Sequence, residues 1–106
     1  MNNHLYQTLT VEYHSDGIAQ IAMNRPQVHN AFNEQLIDEL HRIFLHVHKD
    51  PSVRVVILKG QGKNFSAGAD AEWMHRQAQA DYQQNLQSAK EMAAMFRAID
   101  ACSKPT

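Results

Sequence analysis

The 106-residue sequence sets 10 Lys+Arg against 11 Asp+Glu, for a formal net charge of −1, with 43% hydrophobic residues. That composition suits one small soluble domain and gives no electrostatic footprint for nucleic acid or an acidic membrane. Cys102 is the only cysteine, which excludes an internal disulfide and makes a reducing, cytoplasmic compartment the expectation.

Met1-Asn2-Asn3-His4 lacks the basic and apolar regions of a secretory signal, and no apolar run nears the roughly 20 residues that span a bilayer. Tyr6 to His14 predicts a first strand, with Leu9, Val11 and Tyr13 alternating onto one face. Ser15-Asp16-Gly17 is a hairpin signal, and Ile18 to Met23 is the returning strand. Pro26 then fixes its own φ and pushes Arg25 toward an extended conformation. A helix is predicted from Asn33 as N-cap, with Glu34 near the positive end of the dipole and Asp50-Pro51 as its end. Leu36, Ile37, Leu40, Ile43, Phe44 and Val47 form its apolar stripe.

Val53 to Leu58 is a β-branched run without alternation, which predicts a strand covered on both faces. Gly60 to Asn64 is a loop, and Phe65 to Asp70 leads out of it into a region of helical composition. The last predicted helix runs from about Asp81 to Ala101, with Leu86, Ala89, Ala93, Phe96 and Ile99 on one side and no obvious surface to pack on. The ββαβα order argues for an α/β layered fold.

The segment Lys63-Asn64-Phe65-Ser66-Ala67-Gly68-Ala69-Asp70 carries the strongest chemical signal. Its small residues let a ligand approach the main chain, which Gly68 assists by lacking a Cβ. A strand that turns there into a helix can aim free N–H groups at one spot, the arrangement an oxyanion hole requires. A small-residue turn is also a common packing device, so this feature alone decides nothing.

Three blocks together are specific. Asn24-Arg25-Pro26-Gln27-Val28-His29-Asn30-Ala31-Phe32, Val53 to Gly60, and Gly62 to Asp70 resemble, in order and spacing, the crotonase (enoyl-CoA hydratase/isomerase) family. The resemblance extends over nearly the whole chain to Lys104-Pro105-Thr106. It implies the N-terminal part of a crotonase (ClpP-like) ββα spiral fold, with residues 1–106 as a partial domain.

It also implies roles. The Ala69 N–H would be one of two oxyanion-hole donors to the carbonyl of an acyl-CoA thioester. Gln27 and Val28 would lie along the CoA arm, the main chain at Ser66 and Ala67 would meet the adenine, Gly68 would permit the turn, and Asp70 would fix the loop. The second donor, the glutamates that act as acid and base, and the helices of the family's trimer fall beyond Thr106 in the resembled pattern. The chain alone is therefore expected to be inactive, and its parent to be an enoyl-CoA hydratase needing no metal or redox cofactor. An enoyl-CoA isomerase, a CoA-thioester hydrolase or decarboxylase, and a non-catalytic self-associating fragment are the alternatives. A homo-oligomer, trimer or dimer of trimers, is the implied assembly.

His29 stands where the family often has leucine, and Ala71 where leucine or isoleucine is usual. Glu72-Trp73-Met74 resembles hydratases of branched acyl-CoAs of the methylglutaconyl type, though Trp73 and Met74 read equally well as core. His41, His46, His48 and His75 form no zinc pattern and read as surface histidines. Glu34 reads as a helix-dipole residue, Glu72 as a solvated helix face, and the Ala89, Met92, Ala93, Met95, Phe96 side of the last helix as core or partner-facing.

Overall fold

A computed structural model describes residues 6–106. The signal-sequence reading of Met1 to His4 lies outside the described residues. In chain order the elements are β1 (Leu9–Tyr13), β2 (Ile18–Met23), a 3-10 turn (Pro26–Val28), α1 (Glu34–Lys49), β3 (Val55–Gly60), α2 (Ala71–Gln79) and α3 (Tyr82–Asp100).

The three strands form one sheet in the order β1-β2-β3. β1 and β2 are antiparallel, with Val11 opposite Ile21, and Gly17 takes φ +90 in the turn between them. β3 runs parallel to β2, pairing Ile21 with Leu58, so the connection through α1 is a crossover.

Asn33 caps α1 by accepting from the Leu36 N–H at 2.9 Å. The predicted stripe is the buried one: Leu36, Ile37, Leu40, Ile43, Phe44 and Val47 all pack into the core with Leu9, Val11, Ile21, Met23 and Val56. Burying each large side chain contributes about 1.5–3 kcal/mol relative to leaving it in water. Glu39 lies on the same helix and is also buried. Its carboxylate accepts from Thr8 N–H at 2.8 Å, Thr8 Oγ1 at 2.7 Å and Gln7 N–H at 3.0 Å. Those donors compensate the cost of taking a carboxylate out of water, and they tie the approach to β1 onto α1.

Several expectations are corrected. β1 is shorter than Tyr6 to His14, and β3 starts at Val55 and reaches Gly60. Tyr13 shares the core side of β1 but sits exposed at its hairpin end. β3 is not covered on both faces: Val56 is buried, while Val55 and Ile57 are 38% and 41% exposed. β3 is the outer strand of a sheet with α1 against one face, and an apolar run cannot report which faces have neighbours.

The order is also ββαβαα, because the stretch of helical composition after Asp70 forms α2. Finally, α3 does pack, against α1. It is rotated from the predicted stripe, so that Met95 is buried and Met92, Ile99 and Cys102 are partly buried, while Ala89, Ala93 and Phe96 are exposed. Ile99 of the expected stripe, and Met92 and Met95 of the side read as core or partner-facing, are therefore inside, and the flexible methionines fill the seam. Asp81 and Gln84 close a capping box at its start.

Candidate functional site

The core delivers two segments side by side, residues 24–32 after β2 and residues 60–70 after β3. Polar bonds then zip them together. Asn30 is fully buried, and its side chain serves both segments at once. Its Oδ1 accepts from Arg25 N–H at 2.8 Å, and its Nδ2 donates to the carbonyls of Gln61 and Asn64 at 2.9 Å each. A Cβ on Gly60 would come within 2.5 Å of the Phe65 carbonyl oxygen and 2.7 Å of Asn30 Nδ2, so packing fixes that glycine. His29 and Asn30 both adopt left-handed backbone conformations, φ 55 and 56, which turn the chain back toward its partner segment.

From there the two segments run parallel. Ala67 N–H donates to His29 O at 2.9 Å, and Ser66 Oγ donates to Asn30 O at 2.9 Å. Phe32 N–H donates to Gly68 O and Asp70 N–H donates to Phe32 O, both at 2.7 Å. These last two bonds make the parallel bridge between Phe32 and Ala69. In such a bridge the flanking groups face the partner strand, and the central residue's own N–H points the other way. Ala69 is that central residue, it is exposed, and its N–H has no partner among the described residues.

Ala69 also lines a cleft of about 360 Å³, together with Arg25, Val28, Ala31, Ala67, Asp70, Ala71 and Glu72. Gly68 takes φ +93, and a Cβ built there meets nothing within 4 Å. Its backbone conformation, not a shortage of room, is what calls for glycine.

Asp70 stands at the junction of cleft and helix. Its Oδ1 caps α2 by accepting from Trp73 N–H at 2.9 Å, and its Oδ2 pairs with Arg25 Nη2 at 3.1 Å. Arg25 Nη1 also donates to Ala31 O. The Trp73 N–H, followed by Arg25, holds the Asp70 carboxyl below the usual carboxylate range, against burial pushing it up. Its oxygens are occupied and it faces a fixed cation, a poor arrangement for taking up a proton. Glu72 is exposed and lies 3.5 Å from Arg76, which also holds Glu34 at 2.7 Å.

The cleft therefore gathers Val28, Ala67, Ala69 and Asp70 from the anticipated set. Ser66 and Gly68 brace it from behind, and Gln27 lies exposed in the 3-10 turn, outside the lining residues. Trp73 is buried with the core, while Met74 beside it is half exposed. Arg25 and Asn30 stood in the first sequence block without an assigned role. The pairing of Arg25 with Asp70, 45 positions away, has no local signature, although a buried-looking arginine beside a turn proline is the kind of residue to ask about. Among the described residues no group of three or more His, Cys, Asp or Glu could hold a metal ion.

The sequence pattern described as enoyl-CoA hydratase/isomerase matches residues 13–106. The chain belongs to that family. A crystal structure of an enoyl-CoA hydratase from Shewanella pealeana superposes with a TM-score of 0.93 at 38% identity, covering 98% of this chain and 39% of that one. Enoyl-CoA hydratase domain-containing protein 3, mitochondrial, of Xenopus laevis is 35% identical over 82 residues, which is 76% of this chain and 28% of that protein. Trans-2-decenoyl-[acyl-carrier-protein] isomerase of Streptococcus mutans is 35% identical over 71 residues, 67% of this chain and 27% of that protein. The chain thus spans less than two fifths of the length of these curated relatives. Among the described residues no helix is long and apolar enough to cross a membrane.

Proposed function

We propose that this chain supplies the carbonyl-polarising half of an enoyl-CoA hydratase site, in a cytoplasmic protein whose whole form adds water to the 2,3 double bond of an acyl-CoA thioester. The observation that carries this reading is the Ala69 N–H, unpaired among the described residues and belonging to a residue that lines the cleft. Attack on the double bond pushes charge onto the thioester oxygen, and a fixed amide aimed at that oxygen stabilises it. One such donor is worth about 2.7–4 kcal/mol at the transition state.

Val28 and Gln27 lie along the route of the CoA arm, and the Ser66–Ala67 main chain meets the adenine. Asp70, with Arg25, holds the loop and takes no part in proton transfer. The reaction needs no metal or redox group, since the CoA belongs to the substrate. Because Asp70 is fully engaged and Glu72 is solvated beside Arg76, the 106 residues alone offer no carboxylate pair for the acid–base step. They are therefore inactive by themselves, and the whole protein is a homo-oligomer. An isomerase is the second reading, favoured by the similarity to the Streptococcus mutans enzyme. It draws on the same amide with a different disposition of carboxylates.

Trp73 is the only tryptophan and directly follows Glu72 of the cleft lining, so its fluorescence is the reporter of occupancy. Acetoacetyl-CoA, which resembles the enolate, is expected to change the emission at lower concentration than CoA itself. Ala69→Pro, which deletes the N–H, should abolish that preference, and Ala69→Gly should keep it. A proline variant with native circular dichroism and unchanged preference would overturn the assignment of Ala69. Hydration of crotonyl-CoA by the 106 residues, followed by loss of the conjugated thioester absorbance, is expected to be absent.

A further inference from the structure

The cleft that Ala69 lines has a distinctive charge balance. Among the described residues Arg25 is the only cation of the lining, and it is committed: Nη2 pairs with Asp70 at 3.1 Å and Nη1 donates to Ala31 O. Asp70 and Glu72 are the lining anions, so one positive charge stands against two negative ones. The neighbouring side chains do not reverse that excess. Arg76 lies 3.5 Å from Glu72, but its Nη2 is held by both oxygens of Glu34, at 2.7 and 2.8 Å. Counting Arg76 and Glu34 with the lining leaves the balance one charge negative.

The position of Glu72 matters more than the count. The first turn of α2 contributes Ala71 and Glu72 to the cleft, next to its cap Asp70. A helix N-terminus ordinarily draws an anion, through its free N–H groups and the positive end of its dipole. Here the chain's own carboxylates hold that place. Asp70 accepts from Trp73 N–H at 2.9 Å, and Glu72 stands in the same turn, exposed. The rest of the lining, Val28, Ala31, Ala67, Ala69 and Ala71, is small and uncharged.

An acyl-CoA thioester has two chemically different ends. The pantetheine arm that bears the thioester is uncharged, and the nucleotide end carries a diphosphate and a further phosphate on the ribose. We propose that Glu72 is a specificity-determining residue that makes this cleft a site for the uncharged pantetheine-thioester end and turns the phosphate-bearing end away. The inference rests on the Ala69 reading above, which brings the thioester carbonyl to this cleft. With the carbonyl there, the pantetheine arm lies against Val28 and the alanines, and a phosphate drawn toward α2 meets Glu72. One solvated carboxylate against several phosphates changes affinity about three- to tenfold. Pantetheine reaches the cleft in the same form from CoA or from a carrier protein, and the phosphates tell the two sources apart.

Thioesters of one acetoacetyl group on CoA, on 4′-phosphopantetheine and on pantetheine test this, with Trp73 emission read against concentration at low salt. The native chain is expected to bind the pantetheine thioester most tightly and the CoA thioester least. The phosphopantetheine thioester, the arm a carrier protein presents, should fall between them. Added salt should narrow the gap by screening Glu72. Glu72→Gln should move the affinity ratio toward CoA by about three- to tenfold, and Glu72→Lys should move it further. Glu91→Gln, which removes a carboxylate outside the cleft lining, should leave the ratio where it is. Any other order in the native chain would overturn the proposal, and so would a ratio that neither Glu72 variant moves while circular dichroism stays native. If no thioester changes the emission, or Ala69→Pro leaves every affinity unchanged, the Ala69 reading falls and takes this inference with it. If Ala69→Pro weakens the thioesters while the Glu72 variants leave the ratio fixed, this inference alone falls.

Discussion

α1 and α2 each follow a strand and the loop that leaves it, yet they are secured by opposite means. α1 buries Leu36, Ile37, Leu40, Ile43, Phe44 and Val47, and apart from the bonds of Glu39 to Gln7 and Thr8 its attachment is apolar and spread along its length. α2 buries only Trp73. What fixes its position is directional: the Asp70 cap, the Arg25 ion pair behind it and the exposed Arg76–Glu34 contact. The scaffold thus draws its stability from burial, which tolerates imprecision. The cleft draws its shape from hydrogen bonds, which do not. The function proposed above would have one amide aimed at one atom, a task that suits the second kind of contact.

The largest expected effect lies on the scaffold side. Phe44→Ala empties the centre of the core and should cost about 3–5 kcal/mol, a large share of the roughly 5–15 kcal/mol that holds a domain folded. Urea denaturation followed by far-ultraviolet circular dichroism should show the cooperative transition shifted or lost. A shift no larger than that of a surface substitution would erase the contrast between the two helices.

Asn30→Ala should come next. It leaves Arg25 N–H, Gln61 O and Asn64 O without their partner, and a few unpaired buried groups cost about 2–4 kcal/mol in total. The same denaturation measurement checks it. A loss below about 0.5 kcal/mol would mean that water substitutes freely and that the zipper is not what shapes the cleft.

Asp70→Asn keeps an oxygen for the cap but removes the charge facing Arg25, for an expected loss of about 1–3 kcal/mol near neutral pH. The sign of its pH dependence follows from the lowered pKa. Stabilisation by the carboxylate is complete above the unfolded value of about 3.9 and is lost as pH falls through the lower folded value. Native and variant stabilities should therefore converge in acid and separate above about pH 4. A difference that stays constant across that range would assign the effect to packing instead.

The smallest change is expected for Arg76→Ala. Both partners of Arg76 are solvated, so global stability should fall by no more than about 1 kcal/mol. Amide hydrogen exchange in α2 should accelerate while that in α1 stays slow. Equal acceleration in both helices would show that α2 is no more loosely held than the scaffold.

Legibility in the sequence divides along the same line. The hairpin and α1 were readable because Asp16-Gly17 and the spacing from Leu36 to Val47 are local statements about φ and about one face. β3 was readable as a strand but not as an edge, since exposure of Val55 and Ile57 depends on what lies beside them. The buried face of α3 was readable only in part, at Ile99, Met92 and Met95 but not at Ala89, Ala93 and Phe96, because alanine and methionine are ambiguous about which side is inside. At the cleft, Ala69 came into view only through the order of three blocks, while the clasp of Asn30 and the Arg25–Asp70 pair depends on segments distant in sequence. Periodicity records what a residue's own element needs, and these contacts are needs of a neighbouring segment.

Gly68 gives this a further turn. Since a side chain there would meet open space but would have to accept φ +93, what the position guards is handedness and not volume. A selection for folded variants at that site should therefore sort residues by tolerance of a left-handed backbone. Asparagine and aspartate would come through first and valine and isoleucine last, an order that a ranking by size would not produce.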